Sequence, residues 1–283
     1  MAKTENPSLV ARSWTVLADA VGHLNDDDGW AMASHVALSA LMAVFPFLIF
    51  VAALAGFIGE ASLAERVANL VFDTWPEDVA KPIVSDVNRV LTQSQGSLLT
   101  ISILVTIYLA SNGVEAVRTA LNRAYRVTET RSFFFLRAQS IVFVLVGAVA
   151  SLTFAFLGVL GPLLFDWVAS HVPGLRPFGT TFDILRFVVT GATAAAVLIA
   201  AHLWLPAGRP PVTRLWPGIL ATLTLWLVAA WAFGYYLQRF ANYAAYYAGL
   251  ASVVTAIFFL YLVALIMIFG AEFNAALARV RER

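Results

Sequence analysis

The chain has 283 residues, of which 60% are hydrophobic and 12% are charged, and its mean hydropathy is +0.80. So few polar side chains cannot cover a water-exposed surface, which excludes an ordinary soluble domain. The net charge of +1 disfavours binding to nucleic acid, which requires a strongly basic surface. Because there is no cysteine, disulfides, thiolate metal sites and cysteine nucleophiles are excluded.

The chain begins with a polar segment that has an amphipathic pattern. Four apolar residues recur at helical spacing, namely Trp14, Leu17, Val21 and Leu24. This spacing predicts that residues 1–29 contain a helix lying on the cytoplasmic face of the membrane.

Six long runs without charged residues follow, and they predict an all-α polytopic membrane protein. The runs lie at 36–58, 98–114, 140–165, 187–205, 215–237 and 250–270. Each is close to the length of about 20 residues that a spanning helix needs. Barrel strands would instead appear as short alternating segments. We expect one six-helix membrane domain over residues 1–283.

Residues 59–97, between the first two runs, predict an external helical cap. Apolar residues again recur at helical spacing there, and prolines stand near the start, as is usual at a helix N-terminus. The acidic residues of this segment suggest either a cation or partner site, or a solvated helix face, which is the commoner situation.

Basic residues predict the orientation of the chain. With the N-terminus inside, the cytoplasmic side holds twelve of the 18 lysines and arginines, and the opposite side holds six. The loop between Arg118 and Arg137 contributes most to this difference. The asymmetry places both termini in the cytoplasm.

The first predicted spanning helix contains a proline near its middle. Pro46 removes one backbone donor, and its ring crowds the carbonyl one turn earlier, so we expect a kink. Kinked helices line many transport pathways, but proline is also common in spanning helices for packing reasons alone. Both interpretations stay open.

Polar residues gather at the inner ends of the second and sixth helices and form the candidate site. Its members are Asn112, Glu115, Arg118, Arg123, Glu272 and Asn274. A carboxylate at a helix end avoids the bilayer centre, where an ionised group costs roughly 2.5 to 3.5 kcal/mol. We expect Glu272 to pair with an arginine. The cluster is interpreted either as a substrate or ion site, or as a salt-bridged collar that clamps helix ends.

Catalytic and metal-binding patterns find no support. The chain has no GxSxG, Walker A or GxGxxG sequence, and its four histidines, His23, His35, His171 and His202, are scattered without metal-ligand spacing. The sequence therefore predicts no enzyme, no catalytic residues, no metal and no cofactor.

Three segments together resemble the YihY/BrkB family of bacterial inner-membrane proteins. They are residues 120–131, which carry Ala-Leu-Asn-Arg-Ala-Tyr-Arg-Val, residues 205–218, which end in Trp-Pro-Gly, and residues 270–274, which read Gly-Ala-Glu-Phe-Asn. The likeness runs from about residue 30 to 277. There are departures, since Leu38 and Ser39 stand where the family often has an aromatic pair, and Phe259 stands where it commonly has tryptophan.

The resemblance implies a six-helix envelope protein. The family has also carried a ribonuclease label, which does not suit this chain, because four dispersed histidines cannot assemble a metal-dependent nuclease site.

Three classes of function remain open. The leading hypothesis is a transporter or flippase for a lipid or another amphipathic envelope molecule, based on Pro46 and the polar cluster. The second is a scaffold that recruits envelope proteins through the cap and the basic loop, and the third is an intramembrane enzyme acting on lipid. Membrane lipids and envelope proteins are the expected partners, and nucleic acid is not.

Overall fold

The computed structural model describes residues 9–58, 96–208, 210–244 and 250–282, and all regular structure in these ranges is helical. The α-helices are α1 Leu9–Asp26, α2 Gly29–Ile58, α3 Gly96–Ala124, α4 Phe133–Ala155, α5 Gly161–His171, α6 Gly179–Trp204, α7 Trp216–Ala244 and α8 Leu250–Glu282. A π-helical turn, Phe156–Leu160, joins α4 to α5, and 3-10 turns, Pro173–Phe178 and Val212–Arg214, precede α6 and α7. The prediction of an all-helical chain is confirmed for these ranges.

Two sequence-based predictions fall partly outside the described residues. The external cap expected at 59–97 is outside them except for its last two residues, which begin α3. Pro46 lies within α2, but the side chains around it are not described, so the kink stays a prediction.

The helices pack as a closed bundle. Helix α3 packs between α2 and α4, α6 lies between α4 and α7, and α8 lies against both α7 and α2. Helix α1 packs across α8. The starts of α2, α4 and α7 meet the ends of α3, α6 and α8 at one end of the bundle, which we call the polar end.

The tightly packed core of the described residues lies at the polar end. Small residues from three helices, Ala33, Ala120 and Ala264, are buried in one cluster, and Leu121, Leu205 and Ala271 are buried in the next. Small side chains let helix backbones approach closely, which is how helices associate where burial from water supplies no driving force.

In the part of the chain that the structure describes, four helical runs are long and apolar enough to cross a membrane: Phe133–His171, Pro173–Trp204, Trp216–Arg239 and Val253–Val280. They coincide with the last four predicted crossings. The crossings expected at 36–58 and 98–114 lie in α2 and α3. That these two helices also span the membrane, which would make six crossings, stays a prediction.

Large apolar side chains cover the outside of these helices. Phe134 is 84% exposed, Leu227 is 74% exposed, and Leu152 and Phe187 are similarly bare. Soluble monomers rarely expose contiguous apolar patches beyond a few hundred Å². Lipid is the solvent that suits this surface, so the chain is a membrane protein.

The run Phe133–His171 has 39 residues and is longer than one crossing requires. At 1.5 Å per residue it measures roughly 58 Å, against about 30 Å of hydrocarbon. Pro162 stands at the start of α5, directly after the π-helical turn, and has no backbone N–H to donate. The wider turn accommodates this proline without breaking the helical run.

Candidate functional site

The predicted site residues all lie at the polar end, but the structure divides them among several contacts. Asn112, Glu115, Arg118 and Arg123 follow one another along the last turns of α3, whereas Glu272 and Asn274 lie on the last turns of α8. The two groups contact different neighbouring helices.

Asn112 and Glu115 share one arginine from α4. The guanidinium of Arg137 donates to Asn112 Oδ1 at 2.9 Å and to Ser111 Oγ at 2.6 Å, and it lies 3.3 Å from Glu115 Oε1. The same group stacks over the ring of Tyr108, 4.9 Å from its centroid. This contact ties α3 to α4 and uses the charge of Glu115.

Arg118 also crosses from α3 to α4, but it meets neutral groups there. Its Nη2 donates to the carbonyl of Leu136 at 2.8 Å and to Ser140 Oγ at 2.5 Å. The side chain is 4% exposed, and its Nε has no hydrogen-bond partner among the described residues. No carboxylate in the described ranges lies within 4 Å of it. A buried arginine without a carboxylate within 4 Å is expensive, which makes Arg118 a candidate functional residue.

The loop between α3 and α4 is fastened to the end of α6. Glu129 accepts two hydrogen bonds from the Arg131 guanidinium, at 2.8 and 2.7 Å, and one from Asn122 at 3.1 Å. Arg131 then donates to the carbonyl of Leu205 at 2.6 Å, and Asn122 Oδ1 accepts from the backbone of Ala207 at 2.8 Å. Hydrogen bonding to Arg131 lowers the pKa of Glu129 to about 2.

Helix α3 ends in a closed cap with an arginine in an unusual backbone conformation. Val127 N–H donates to the carbonyl of Asn122 at 2.9 Å, and Arg126 N–H donates to that of Arg123 at 2.9 Å, which is a Schellman motif. Arg126 has φ 55°, where glycine is the usual residue. Retaining a side chain there indicates a use for its charge.

That charge faces the turn between α1 and α2. Arg126 Nη2 lies 3.9 Å from Asp27 Oδ2, and Arg123 Nη1 lies 3.3 Å from Asp28 Oδ2. Asp28 is the other described non-glycine residue with positive φ, also at 55°. Two strained turns therefore face each other through two ion pairs.

Glu272 is 1% exposed and faces the same turn from α8. The charged groups that act on its carboxyl are Asp27, Arg279 and Arg126. Glu272 Oε2 and Asp27 Oδ2 are both buried, and neither has a hydrogen-bond partner among the described residues. The expected arginine partner does not reach Glu272 within 4 Å in those ranges, because Arg279 bonds Asp19 at 2.8 Å instead.

Asn274 has a structural task that its sequence position does not reveal. Its Oδ1 accepts from the N–H of Gly218 at 2.7 Å, and its Nδ2 donates to the carbonyl of Leu215 at 3.1 Å. Gly218 lies in the first turn of α7, whose N–H groups lack partners within the helix, and Leu215 before that turn cannot cap it. Asn274 therefore caps α7 from α8.

His202 is fully buried and contacts Tyr125, the residue that follows α3. Its Nδ1 lies 2.6 Å from the hydroxyl of Tyr125, and its Nε2 has no partner among the described residues. No group of three or more potential metal-ligating side chains occurs in the described part of the chain. The absence of a metal site stays a prediction.

A polar pocket of about 510 Å³ opens between these contacts. We define it by six of its lining residues, Asp27, Arg118, Asn122, Arg126, Glu129 and Leu136. Glu115 and Arg123 also line it, so three predicted site residues border the same pocket. The volume is within the usual range for small-molecule sites.

A second cavity, which we call the apolar cleft, lies between the end of α7 and the start of α8. It measures about 680 Å³ and is bordered by Ala229, Ala232, Phe233, Tyr236, Val254 and Phe258. Val254 and Phe258 are exposed, so the described residues leave this cleft open on the outside of the bundle.

Three functional contacts escaped the sequence analysis. Arg137 appeared only as one basic residue of a loop and Asp27 was not singled out, yet each faces a predicted site residue. The contact of Arg137 could have been predicted from the short connection. Helices α3 and α4 are antiparallel and joined by eight residues, so residues near the connection face each other. The contact of Asn274 with Leu215 and Gly218 joins distant segments and had no such signal.

Comparison with known proteins places the chain among membrane proteins. The model of the virulence factor BrkB family matches residues 20–283. The ribonuclease-like protein YfkH of Bacillus subtilis is 26% identical over 255 residues, which are 90% of this chain and 92% of YfkH. The UPF0761 membrane proteins RC1_0578 of Rhodospirillum centenum and lpg0643 of Legionella pneumophila are 26% and 27% identical over 94% and 93% of this chain. The aligned parts make up 58% and 62% of those two proteins. No solved structure matches the chain.

Proposed function

This chain belongs to the virulence factor BrkB family, and we propose that this member transports or flips a lipid or another amphipathic molecule across the bacterial inner membrane. The membership confirms the resemblance drawn from the three sequence segments. Two bacterial relatives are named membrane proteins. Apolar spanning helices support the inner membrane, because single-chain proteins of the outer membrane are typically barrels.

Six crossings with both termini in the cytoplasm form part of this proposal. Helices α2 and α3 have 30 and 29 residues, longer than the roughly 20 that one crossing needs. The asymmetry of basic residues supports the direction. On this topology the polar end, with its pocket, lies at the cytoplasmic face, and the apolar cleft lies toward the opposite face.

One observation supports the proposed transport most directly. The described part of the bundle contains two ligand-sized cavities of different polarity, the polar pocket and the apolar cleft. The polar pocket contains arginines and carboxylates, whereas the apolar cleft is bordered by alanine, valine and aromatic side chains. An amphipathic molecule needs both environments, since its polar group must leave water while its chain stays in an apolar medium. A solid bundle would instead favour the scaffold.

The first helix supports a lipid as the partner. Trp14, Leu17 and Val21 are exposed on one face of α1, while Val16, Ala20 and Leu24 are buried on the other. An exposed apolar face next to the polar end suits a helix that lies among lipid headgroups. We therefore propose that α1 rests on the cytoplasmic leaflet.

Transport is tested by reconstituting the purified chain in vesicles that contain fluorescent phospholipids. Ala232→Trp fills the apolar cleft, and Leu227→Trp adds the same side chain on the lipid-facing surface of α7. We expect the native chain and L227W to move labelled lipid between leaflets, and A232W to do so at least several-fold more slowly.

If neither labelled lipids nor small solutes move with the native chain, transport is wrong. Crosslinking in native membranes then tests the scaffold, which requires a reproducible envelope-protein partner. YfkH is called ribonuclease-like by name; for this chain the absence of enzyme activity stays a prediction.

A further inference from the structure

We propose that the polar pocket binds the phosphate group of an anionic amphiphile, and that Arg118 supplies the main positive charge to it. This inference rests on the proposed function in one respect, since it names the polar group of the molecule to be moved. The binding itself is a separate claim and is tested separately.

Each carboxylate that lines the pocket lies within 4 Å of an arginine other than Arg118, while Glu115 and Glu129 act on Arg118 from further away. Glu115 has Arg137 at 3.3 Å, and Glu129 has Arg131 at 2.7 Å. Arg118 contacts only a carbonyl and a hydroxyl, and within the described ranges no carboxylate lies within 4 Å of it. A positive charge in this position lacks the partner that a buried ion normally has.

The unused hydrogen-bond donors of Arg118 also support an anion site. Asn122 lines the pocket, but its side-chain oxygen and nitrogen are used by Ala207 and Glu129. Arg118 Nε is buried and has no acceptor among the described residues. A guanidinium has five N–H donors in a fixed fork, and a phosphate presents several acceptor oxygens that match it.

The remaining carboxylate of the pocket is distant from this charge. Asp27 lies beside Arg126 at the end of α3, 3.9 Å from its guanidinium. Six residues of helix, roughly 9 Å, separate position 118 from the end of α3 at position 124, and Arg126 lies two residues beyond that end. Asp27 is therefore held at a different position along the pocket from Arg118.

The walls indicate a lipid headgroup rather than a free ion as the source of the phosphate. Phe133 and Leu136 line the pocket together with the charged groups. Phe133, Phe134 and Phe135 are all exposed at the start of α4. Exposed phenylalanines beside charged groups suit the boundary between lipid headgroups and acyl chains, which is where a lipid phosphate could enter the pocket.

The experiment compares lipid binding by the full chain in detergent, using native mass spectrometry and thermal shift. Probes are phosphatidic acid, phosphatidylglycerol, phosphatidylcholine and inorganic phosphate. The variants are Arg118→Gln and Arg118→Lys. Arg186→Gln is the control for loss of a positive charge, because Arg186 lies in the first half of α6, away from the polar end, and pairs with Asp183 at 3.1 Å.

We expect the native chain and R186Q to retain phosphatidic acid or phosphatidylglycerol in preference to phosphatidylcholine, and to melt at a higher temperature when these lipids are added. R118Q should bind them roughly ten- to a hundredfold more weakly, and R118K should fall between, because lysine keeps the charge without the fork. Equal protection by inorganic phosphate would assign the site to a free anion, which overturns the lipid part of the proposal.

If R118Q melts lower but keeps the native preference for anionic lipids, Arg118 is only a clamp between α3 and α4, and the proposal is wrong. If R118Q cannot be purified, the native chain and R118K provide the test. Equal binding of all the lipids by the native chain overturns the proposal, and a preference for anionic lipids that is weaker in R118K supports it. Selective binding without lipid movement in vesicles would leave the anion site standing and remove transport.

Discussion

Glu272 and Asn274 lie two residues apart on α8, and their buried side chains meet different needs. Asn274 bonds with both of its side-chain polar atoms, so its contribution is structural. Glu272 faces another carboxyl group and has an oxygen without a donor. A buried polar atom without a partner costs roughly 1–3 kcal/mol, which a protein of ordinary stability retains only where it is useful.

We expect Glu272→Gln to keep or raise the melting temperature. The amide nitrogen is a permanent donor and can bond Asp27 Oδ2, which has no partner among the described residues. Glu272→Ala should instead lower the melting temperature by several degrees, since it leaves a cavity beside Asp27 at a cost of about 1–3 kcal/mol. Size-exclusion thermal shift in detergent measures both. Equal losses in the two variants would contradict the assigned contact.

Glu129 predicts a pH dependence of stability with a definite sign. Its pKa is about 2 in the folded chain, below the ordinary 4.5, chiefly because Arg131 bonds the ionised form. A lowered pKa contributes stability that is complete above about pH 4.5 and is lost as the pH falls through 2. The difference in melting temperature between the native chain and Glu129→Gln should therefore shrink between pH 5 and pH 2. A constant difference over this range would show that the bond to Arg131 is absent.

At the scale of elements, two helix pairs make the polar end rigid. Helices α3 and α4 are joined by arginine contacts, and α7 and α8 are joined by the approach of two glycines. A Cβ on Gly218 would overlap the carbonyl oxygen of Gly270, and one on Gly270 would overlap Thr222 Oγ1. These two glycines belong to two of the three segments that carried the family resemblance, and the structure shows that those segments are in contact.

Gly218→Ala should therefore force α7 and α8 apart and lower stability by about 2 kcal/mol or more, as overpacking does in tight cores. Gly234→Ala on the same helix is the matched control, because nothing lies within 4 Å of its added Cβ. Alanine at that position should be neutral or stabilising by up to about 1 kcal/mol. Melting temperatures of the two variants provide the comparison. A G218A protein as stable as G234A would mean that the helices do not cross so closely.

At the scale of the whole molecule, the core is uneven. The described buried residues concentrate at the polar end, whereas α4, α5 and the first half of α6 expose most of their apolar side chains. Lipid solvates those surfaces, so they need no protein partner. The buried polar groups at the polar end must instead form hydrogen bonds and ion pairs with one another, which explains why the ion pairs and the polar pocket occur together.

The proposed topology predicts sidedness at two connections. Because the chain has no cysteine, single cysteines can be introduced without background. Gly174→Cys, between α5 and α6, should react with a membrane-impermeant thiol reagent from outside the cell. Thr213→Cys, between α6 and α7, should react only after the membrane is opened. Labelling of both from the same side would refute the alternation of crossings, and the reverse pattern would refute cytoplasmic termini.

Hydrophobic runs, basic residues and the three family segments were sufficient to predict a helical membrane protein of this family. The positions of the last four crossings also followed from composition, because a spanning helix must satisfy its backbone internally and present apolar side chains to lipid wherever it packs. These properties are local, and a sequence carries them directly.

Which polar side chains meet was decided only by tertiary structure. Glu115 binds Arg137, Glu272 faces Asp27, and Arg118 has no counter-ion among the described residues, although all of the predicted site residues lie at the predicted end. Ion pairing depends on a few ångströms of separation across helices, and those distances are set by how small residues such as Gly218 and Gly270 let the backbones approach.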